Sequence, residues 1–187
     1  MLIRMHTGVS LDGFAATPDG VPAMLSVPEF VPGESHGMQE FLEQCVAVVV
    51  GRTTFDEGHA HWSEHSVWPW EGKRVYVLTS RPLPERVPDE VVAPEGGPAG
   101  LVEQLRSARL EGDVHLLGGP RTLRAFHRLG AIDRLEVQVL PVLLGEGVPL
   151  FPLGSSKVPL RLEEQRAFPD GTLGLVYEPA LDATSYR

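Results

Sequence analysis

One pattern, repeated three times, limits what this chain can become: a short apolar run followed by a turn that sets glycine or hydroxyl residues beside an arginine. Residues 46–50 lead into Gly51-Arg52-Thr53-Thr54, residues 74–78 into Thr79-Ser80-Arg81, and residues 113–117 into Gly118-Gly119-Pro120-Arg121-Thr122. Apolar runs this short, bounded by turn residues, read as strands buried on both faces. Stretches with helical spacing lie between them, and strands alternating with helices argue an α/β protein with a largely parallel sheet.

The rest of the chain fits that scheme. Residues 2–9 read as a first strand, after which Ser10-Leu11-Asp12-Gly13 opens a loop that runs to about Gly33. A structureless loop of that length is usually functional. Residues 34–44 carry Met38, Phe41 and Leu42 at helical spacing, and Thr53 is a candidate N-cap for the helix after the second strand. Residues 90–93 suggest a short strand, and 100–110 a helix striped by Leu101, Val102, Leu105 and Ala108. A further helix starts at Pro120, carries Leu123, Phe126 and Leu129, and stops at Gly130. Residues 135–140, 159–168 and 172–178 read as closing strands, the last two a hairpin around Pro169-Asp170-Gly171, which gives the sheet an antiparallel edge. With 20 glycines and 17 prolines, connections are many.

At 187 residues, a single domain spanning 1–187 is expected. The formal net charge of −9 argues against nucleic acid or an anionic membrane face as partner, so an anionic ligand must be held by a local device. Cys45 is the only cysteine and sits in an apolar run, which reads as a small buried hydrophobe rather than a disulfide or metal ligand. The first residues lack the pattern of a secretory signal and no stretch reaches the length of a membrane span, so a cytoplasmic protein is expected.

Ligands of open α/β sheets bind outside the carboxyl ends of the strands. Backbone N–H groups at a helix start bind phosphate, glycine permits close approach, and arginine adds a charge-assisted contact. Three such corners suit a dinucleotide with an additional 2′-phosphate. Taken singly each is also an ordinary turn with a solvated arginine. Neither the Gly-x-Gly-x-x-Gly fingerprint nor a triphosphate-binding loop is present.

The segments 9–15, 49–55, 76–81 and 117–120, with Ile132-Asp133-Arg134-Leu135 and residues 141–151, occur in an order that resembles the dihydrofolate reductase-like superfamily. The likeness is to the group allied to the reductase domain of the bifunctional riboflavin-biosynthesis deaminase-reductase. The resemblance implies a three-layer fold, with a mostly parallel central sheet, an antiparallel C-terminal edge and helices on both faces. It also implies NADPH-dependent hydride transfer to a carbonyl or imine of a pterin- or riboflavin-precursor-like substrate. By the same resemblance Val9, Ser10, Phe14, Ala15 and Ala16 face Gly118 and Gly119 across the nicotinamide. Gly51, Arg52, Thr53, Thr54, Pro120, Arg121 and Thr122 hold the pyrophosphate, and Thr79, Ser80 and Arg81 take the 2′-phosphate. The acidic residue that dihydrofolate reductases carry on the first helix has only Glu40 as a counterpart here, and Leu117 stands where riboflavin reductases have an acid, so no particular substrate is implied.

Asp12 is the candidate proton relay, provided that its pKa is raised; the plainer alternative is that it fixes the turn with Gly13. His59, His61 and His65 invite a metal reading but match no spaced signature, so none is expected. Trp62, Trp68 and Trp70 either wall a substrate pocket or cover core. The apolar loop 143–152 would expose Leu150 and Phe151 unless covered, and in related proteins this region lies near a two-fold interface, so a homodimer is expected. A binding module without turnover remains the alternative to an enzyme.

Overall fold

The computed structural model of the protein describes residues 1–32, 35–151 and 157–180. Its first strand, β1 (Ile3–Ser10), shows how the layers arise: alternate side chains point to opposite faces. Ile3, Met5 and Val9 join a core with Leu101 and Leu105 of α3 (Gly97–Ser107) and Leu123 and Phe126 of α4 (Pro120–Arg128). On the other face, Arg4 and His6 meet Phe41 of α1 (Met38–Gln44). The strand β3 (Cys45–Gly51) divides in the same way. Ala47 and Val49 face the α3/α4 core, while Val48 and Val50 pack on Phe55 of α2 (Arg52–His65). Phe55 and Phe126 are completely buried, each contributing about 2 to 3 kcal/mol of hydrophobic stabilisation.

The remaining strands are β2 (Phe14–Ala16), β4 (Arg74–Leu78), β5 (Val91–Val92), β6 (Asp113–Gly118), β7 (Arg134–Leu140), β8 (Val148–Pro149), β9 (Leu160–Ala167) and β10 (Leu173–Pro179). Of the ten strands among the described residues, eight form one sheet in the order β5-β4-β3-β6-β1-β7-β10-β9. From β5 to β7 every pairing is parallel; β10 runs antiparallel to both β7 and β9. The expected α/β architecture with an antiparallel C-terminal edge therefore stands.

Three expectations need correction. The segment after Gly13 is not structureless: β2 pairs with β8, some 130 residues away, and a 3-10 turn spans Ala23–Ser26. Thr53 does not cap α2; the cap is Gly51 and the helix begins at Arg52, because the strand passes into the helix with no intervening turn. The first helix is shorter than its spacing suggests. It starts at Met38 behind Gly37, whose φ of 79° ends the preceding 3-10 turn; Glu34 of the expected range, like Gly33 at the end of the expected loop, lies outside the described residues. No helix among the described residues is long and apolar enough to cross a membrane.

Candidate functional site at the carboxyl ends of three adjacent strands

The three arginine-bearing turns follow β4, β3 and β6, which are neighbours in the sheet, so all three open on one edge. The β3 and β6 turns touch. A Cβ built on Gly51 would lie 2.7 Å from Thr122 Oγ1, and one on Gly119 would lie 3.4 Å from Thr54 Oγ1. Side chains at either position would fill the gap between the first turns of α2 and α4. Gly118 and Gly119 both have positive φ (98° and 29°), which L side chains rarely adopt, and a Cβ on Gly118 would meet Leu123 at 2.9 Å. This is the local reason for two glycines there. Neither α2 nor α4 has a side-chain cap, and Pro120 starts α4 without needing a donor. The first-turn N–H groups of both helices are thus left for solvent or a ligand, and their dipoles favour an anion.

The β4 turn joins the same corner through arginine. Arg52 Nε donates to Asp56 Oδ1 at 2.6 Å and its Nη1 to the Pro82 carbonyl at 2.7 Å, while Arg81 Nη2 donates to Asp56 Oδ2 at 3.2 Å. Arg121 is exposed on the first turn of α4, with no hydrogen bond or ion pair among the described residues. Sequence reasoning missed Asp56, although its four-residue spacing from Arg52 on a helix is the pattern that forms such pairs.

Two hydroxyls expected to meet the cofactor are already engaged. Thr79 Oγ1 accepts from the Arg81 amide at 3.0 Å, and buried Ser10 donates to Asp12 Oδ1 at 2.5 Å while accepting from the Phe14 amide. Ser80 is exposed. Val9 is buried in the α3/α4 core, where Ala15 packs on the same cluster, and Phe14 and Ala16 are held in β2 against β8.

Asp12 departs from the role of proton relay. Its carboxylate also accepts from the amides of Leu144 (3.2 Å) and Gly145 (2.7 Å). The Ser10 hydroxyl foremost, then these amides, hold its pKa below the usual carboxylate value, the opposite of what a proton donor at neutral pH needs. It latches the loop after β1 to the loop after β7.

Other polar groups lie on the α1 face. Arg4 donates to Glu136 (2.6 Å), Gln44 (2.6 Å) and Asp113 (2.9 Å), and Gln138 reaches His6 at 3.3 Å. Burial, the largest influence on both, lowers His6 to a pKa of about 4 and His115 to about 3; it also raises the Cys45 thiol to about 11. A cavity of about 430 Å³ shares none of its lining with the arginine corner; it is bordered by Glu29, Ser35, His36, Phe168, Pro169 and Asp170, with His36 Nε2 2.7 Å from Asp170 Oδ2. Glu40 is exposed on α1 and belongs to neither place. Trp68 and Trp70 pack around Phe55 beneath α2, with Trp62 against Trp68, so the tryptophans cover core. Among the described residues no cluster of three or more metal-ligating side chains occurs.

Comparison with known proteins agrees with this architecture. The model of the RibD C-terminal domain matches residues 2–173. The chain belongs to that family. It is 29% identical over 165 residues to the uncharacterised protein YwjB of Bacillus subtilis (strain 168), a match covering 88% of this chain and 90% of that one. A crystal structure of a Shewanella sp. PV-4 protein, provisionally assigned to riboflavin biosynthesis, superposes with a TM-score of 0.80 at 26% identity, covering 96% of this chain and 99% of that one. A Thermotoga maritima diaminohydroxyphosphoribosylaminopyrimidine deaminase/5-amino-6-(5-phosphoribosylamino)uracil reductase shares the fold, with a TM-score of 0.69 at 16% identity. The alignment with it covers 96% of this chain and 56% of that longer one.

Proposed function

We propose that this RibD C-terminal domain protein is an NADPH-dependent oxidoreductase that reduces a carbonyl or imine in a small heterocyclic or sugar-like substrate resembling a pterin or riboflavin precursor. The observation that carries the reading is the meeting of the β3 and β6 turns, with the Arg52–Asp56–Arg81 cluster beside them, at the carboxyl ends of three adjacent parallel strands. The residues present fit a dinucleotide: the opening at Gly51 and Gly119, which a Cβ would narrow, lies between two uncapped helix starts. When bound, NADPH supplies the hydride. Gly51, Thr53 and Thr54 on one side and Gly118, Gly119, Pro120 and Thr122 on the other hold the pyrophosphate through backbone amides and the helix dipoles. Arg81 takes the 2′-phosphate, with Ser80 beside it, while Thr79 keeps that turn in shape. Arg121, exposed on the first turn of α4, adds a charge-assisted contact to the pyrophosphate. The β1 end and β2 bound the nicotinamide side, kept in place by the Asp12 latch.

Titration of protein fluorescence with NADPH and NADH tests the binding half, with at least about tenfold preference for NADPH expected. Equal affinities would defeat it. Turnover is tested by screening pterins, flavin precursors and aldehydes for loss of reduced-nicotinamide absorbance. Binding without turnover of any of them would favour the second reading, a silent NADP-binding module, to which the engaged state of Asp12 lends support. The same reading includes a cytoplasmic homodimer. Of the expected pair, Leu150 is buried in the α3/α4 core and Phe151 is exposed; the edge strand β9 is exposed along almost its whole length, and Leu143, Leu162 and Leu173 also present apolar surface to solvent. A particle of monomer mass in light scattering at micromolar concentration would remove the dimer.

A further inference from the structure

The Asp56 carboxylate stands where two of the arginine corners meet, and the two arginines it binds are not equivalent. Arg52 is a brace: its side chain is only 17% exposed, and its second bond, to the Pro82 carbonyl, ties the start of α2 to the segment leaving β4. The Arg81 side chain is 64% exposed, and its guanidinium is held by the longer contact to Asp56 alone among the described residues. Arg81 can therefore be drawn to a ligand more readily than Arg52, at the cost of its pairing with Asp56.

Resting on the NADPH reading above, we propose that Asp56 sets cofactor selectivity by restraining Arg81, acting as a positioning residue that limits the preference for the 2′-phosphorylated dinucleotide. Two guanidinium groups and one carboxylate leave the cluster a single net positive charge. A phosphate monoester carries close to two negative charges at neutral pH. It must take Arg81 from its standing ion pair and then lie near the Asp56 carboxylate, which repels it. An unphosphorylated ribose meets no such repulsion, and its 2′-hydroxyl is a donor that a carboxylate accepts. The same side chain thus disfavours one cofactor and tolerates the other. Asp56→Asn removes the charge while keeping an oxygen to accept from Arg52 Nε, so the brace survives.

The test measures dissociation constants by fluorescence or calorimetry for NADPH, NADH and 2′,5′-ADP, which carries the phosphate without a nicotinamide. The proteins are wild type, Asp56→Asn, Asp56→Glu, Arg81→Ala and the Asp56→Asn/Arg81→Ala double variant. Asp56→Asn is expected to tighten NADPH and 2′,5′-ADP by roughly threefold to tenfold, the scale of one solvent-screened charge, and to leave NADH unchanged or weaker. Asp56→Glu keeps the wild-type ratio. Without Arg81 the gain disappears, and the double variant binds NADPH no more tightly than Arg81→Ala. An unchanged or reduced NADPH-to-NADH preference in Asp56→Asn overturns the role of Asp56 while leaving the NADPH reading intact. Failure of wild type to bind any of the three ligands overturns that reading, and this proposal with it.

Discussion

Two polar regions of this molecule have been treated in opposite ways. On the α1 face of the sheet, Arg4, Glu136, Gln138, His6 and His115 are almost wholly buried, and the arginine donates to three separate side chains. At the carboxyl ends of β4, β3 and β6, by contrast, two helix starts lack side-chain caps and Arg81 and Arg121 stand in solvent. Arg4 and Glu136 satisfy one another and support the fold, although both ring nitrogens of His115, His6 Nδ1 and Gln138 Oε1 are buried without a hydrogen-bond partner among the described residues; the groups at the shared edge are instead open to solvent and available to a ligand. Charge content alone would not separate the two regions.

The contrast predicts that changes in the first region alter stability and spare dinucleotide binding, and that changes in the second do the reverse. The largest effect is expected from Arg4→Met, which leaves the buried Glu136 carboxylate without its partner. The loss is about 3 to 5 kcal/mol, a fall of roughly 10 °C in melting temperature, with NADPH affinity unchanged if the protein is assayed well below its Tm. A cofactor-binding defect at constant stability would break the distinction.

Acid should act on the same region. His6 and His115 have folded pKa values of about 4 and about 3, below the ordinary value near 6.5, so the unfolded chain takes up protons first. The stability they contribute is complete above about pH 6.5 and is lost as the pH falls from there through 4 and 3. Between pH 7 and pH 5 the loss should be on the order of 2 kcal/mol for each histidine, measurable by urea denaturation. His115→Gln should flatten that slope, and an unaltered slope would show that acid acts elsewhere.

In the open region, Arg81→Ala should cost about tenfold in NADPH affinity, leave NADH affinity within twofold, and move the melting temperature by less than about 2 °C. A comparable loss for NADH would place Arg81 away from the 2′-phosphate. The smallest effect is expected at Asp12. Asp12→Ala should speed hydrogen exchange of the Leu144 and Gly145 amides by roughly tenfold with little change in melting temperature, because only one exposed loop-to-loop latch is lost. Unchanged exchange at those amides would remove the latch.

The arginine corner was legible in the sequence because each of its turns is local: strand, turn and helix start lie within about ten residues, and Gly118-Gly119-Pro120 announces a turn and a helix start by residue type alone. What went unread depends on partners far apart in the chain. β2 exists only because β8 pairs with it, and the Arg4–Glu136 pair is separated by 132 residues. Thr53 was a reasonable cap by residue type, yet β3 runs straight into α2 and leaves that place to Gly51. The neighbours of Asp12 in sequence suggest a site role, but the amides that hold it come from the loop after β7. The exposure of β9 was equally hidden, since its residue types say nothing of its being the last strand of the sheet.

The position of β1 has a consequence for how the protein is made. This strand leaves the ribosome before any other strand of the sheet, yet its neighbours on either side are β6 and β7, with Ile3 opposite Val114 and Arg4 opposite Arg134. Even its first amides depend on late arrivals, Leu2 bonding to Asp113 and Ile3 to Asp133. An apolar segment must therefore wait unpaired until β6 and β7 have been made, and the sheet cannot close before then. Nascent chains stalled before β6 should engage holdase chaperones through β1, and release should coincide with the appearance of Asp133.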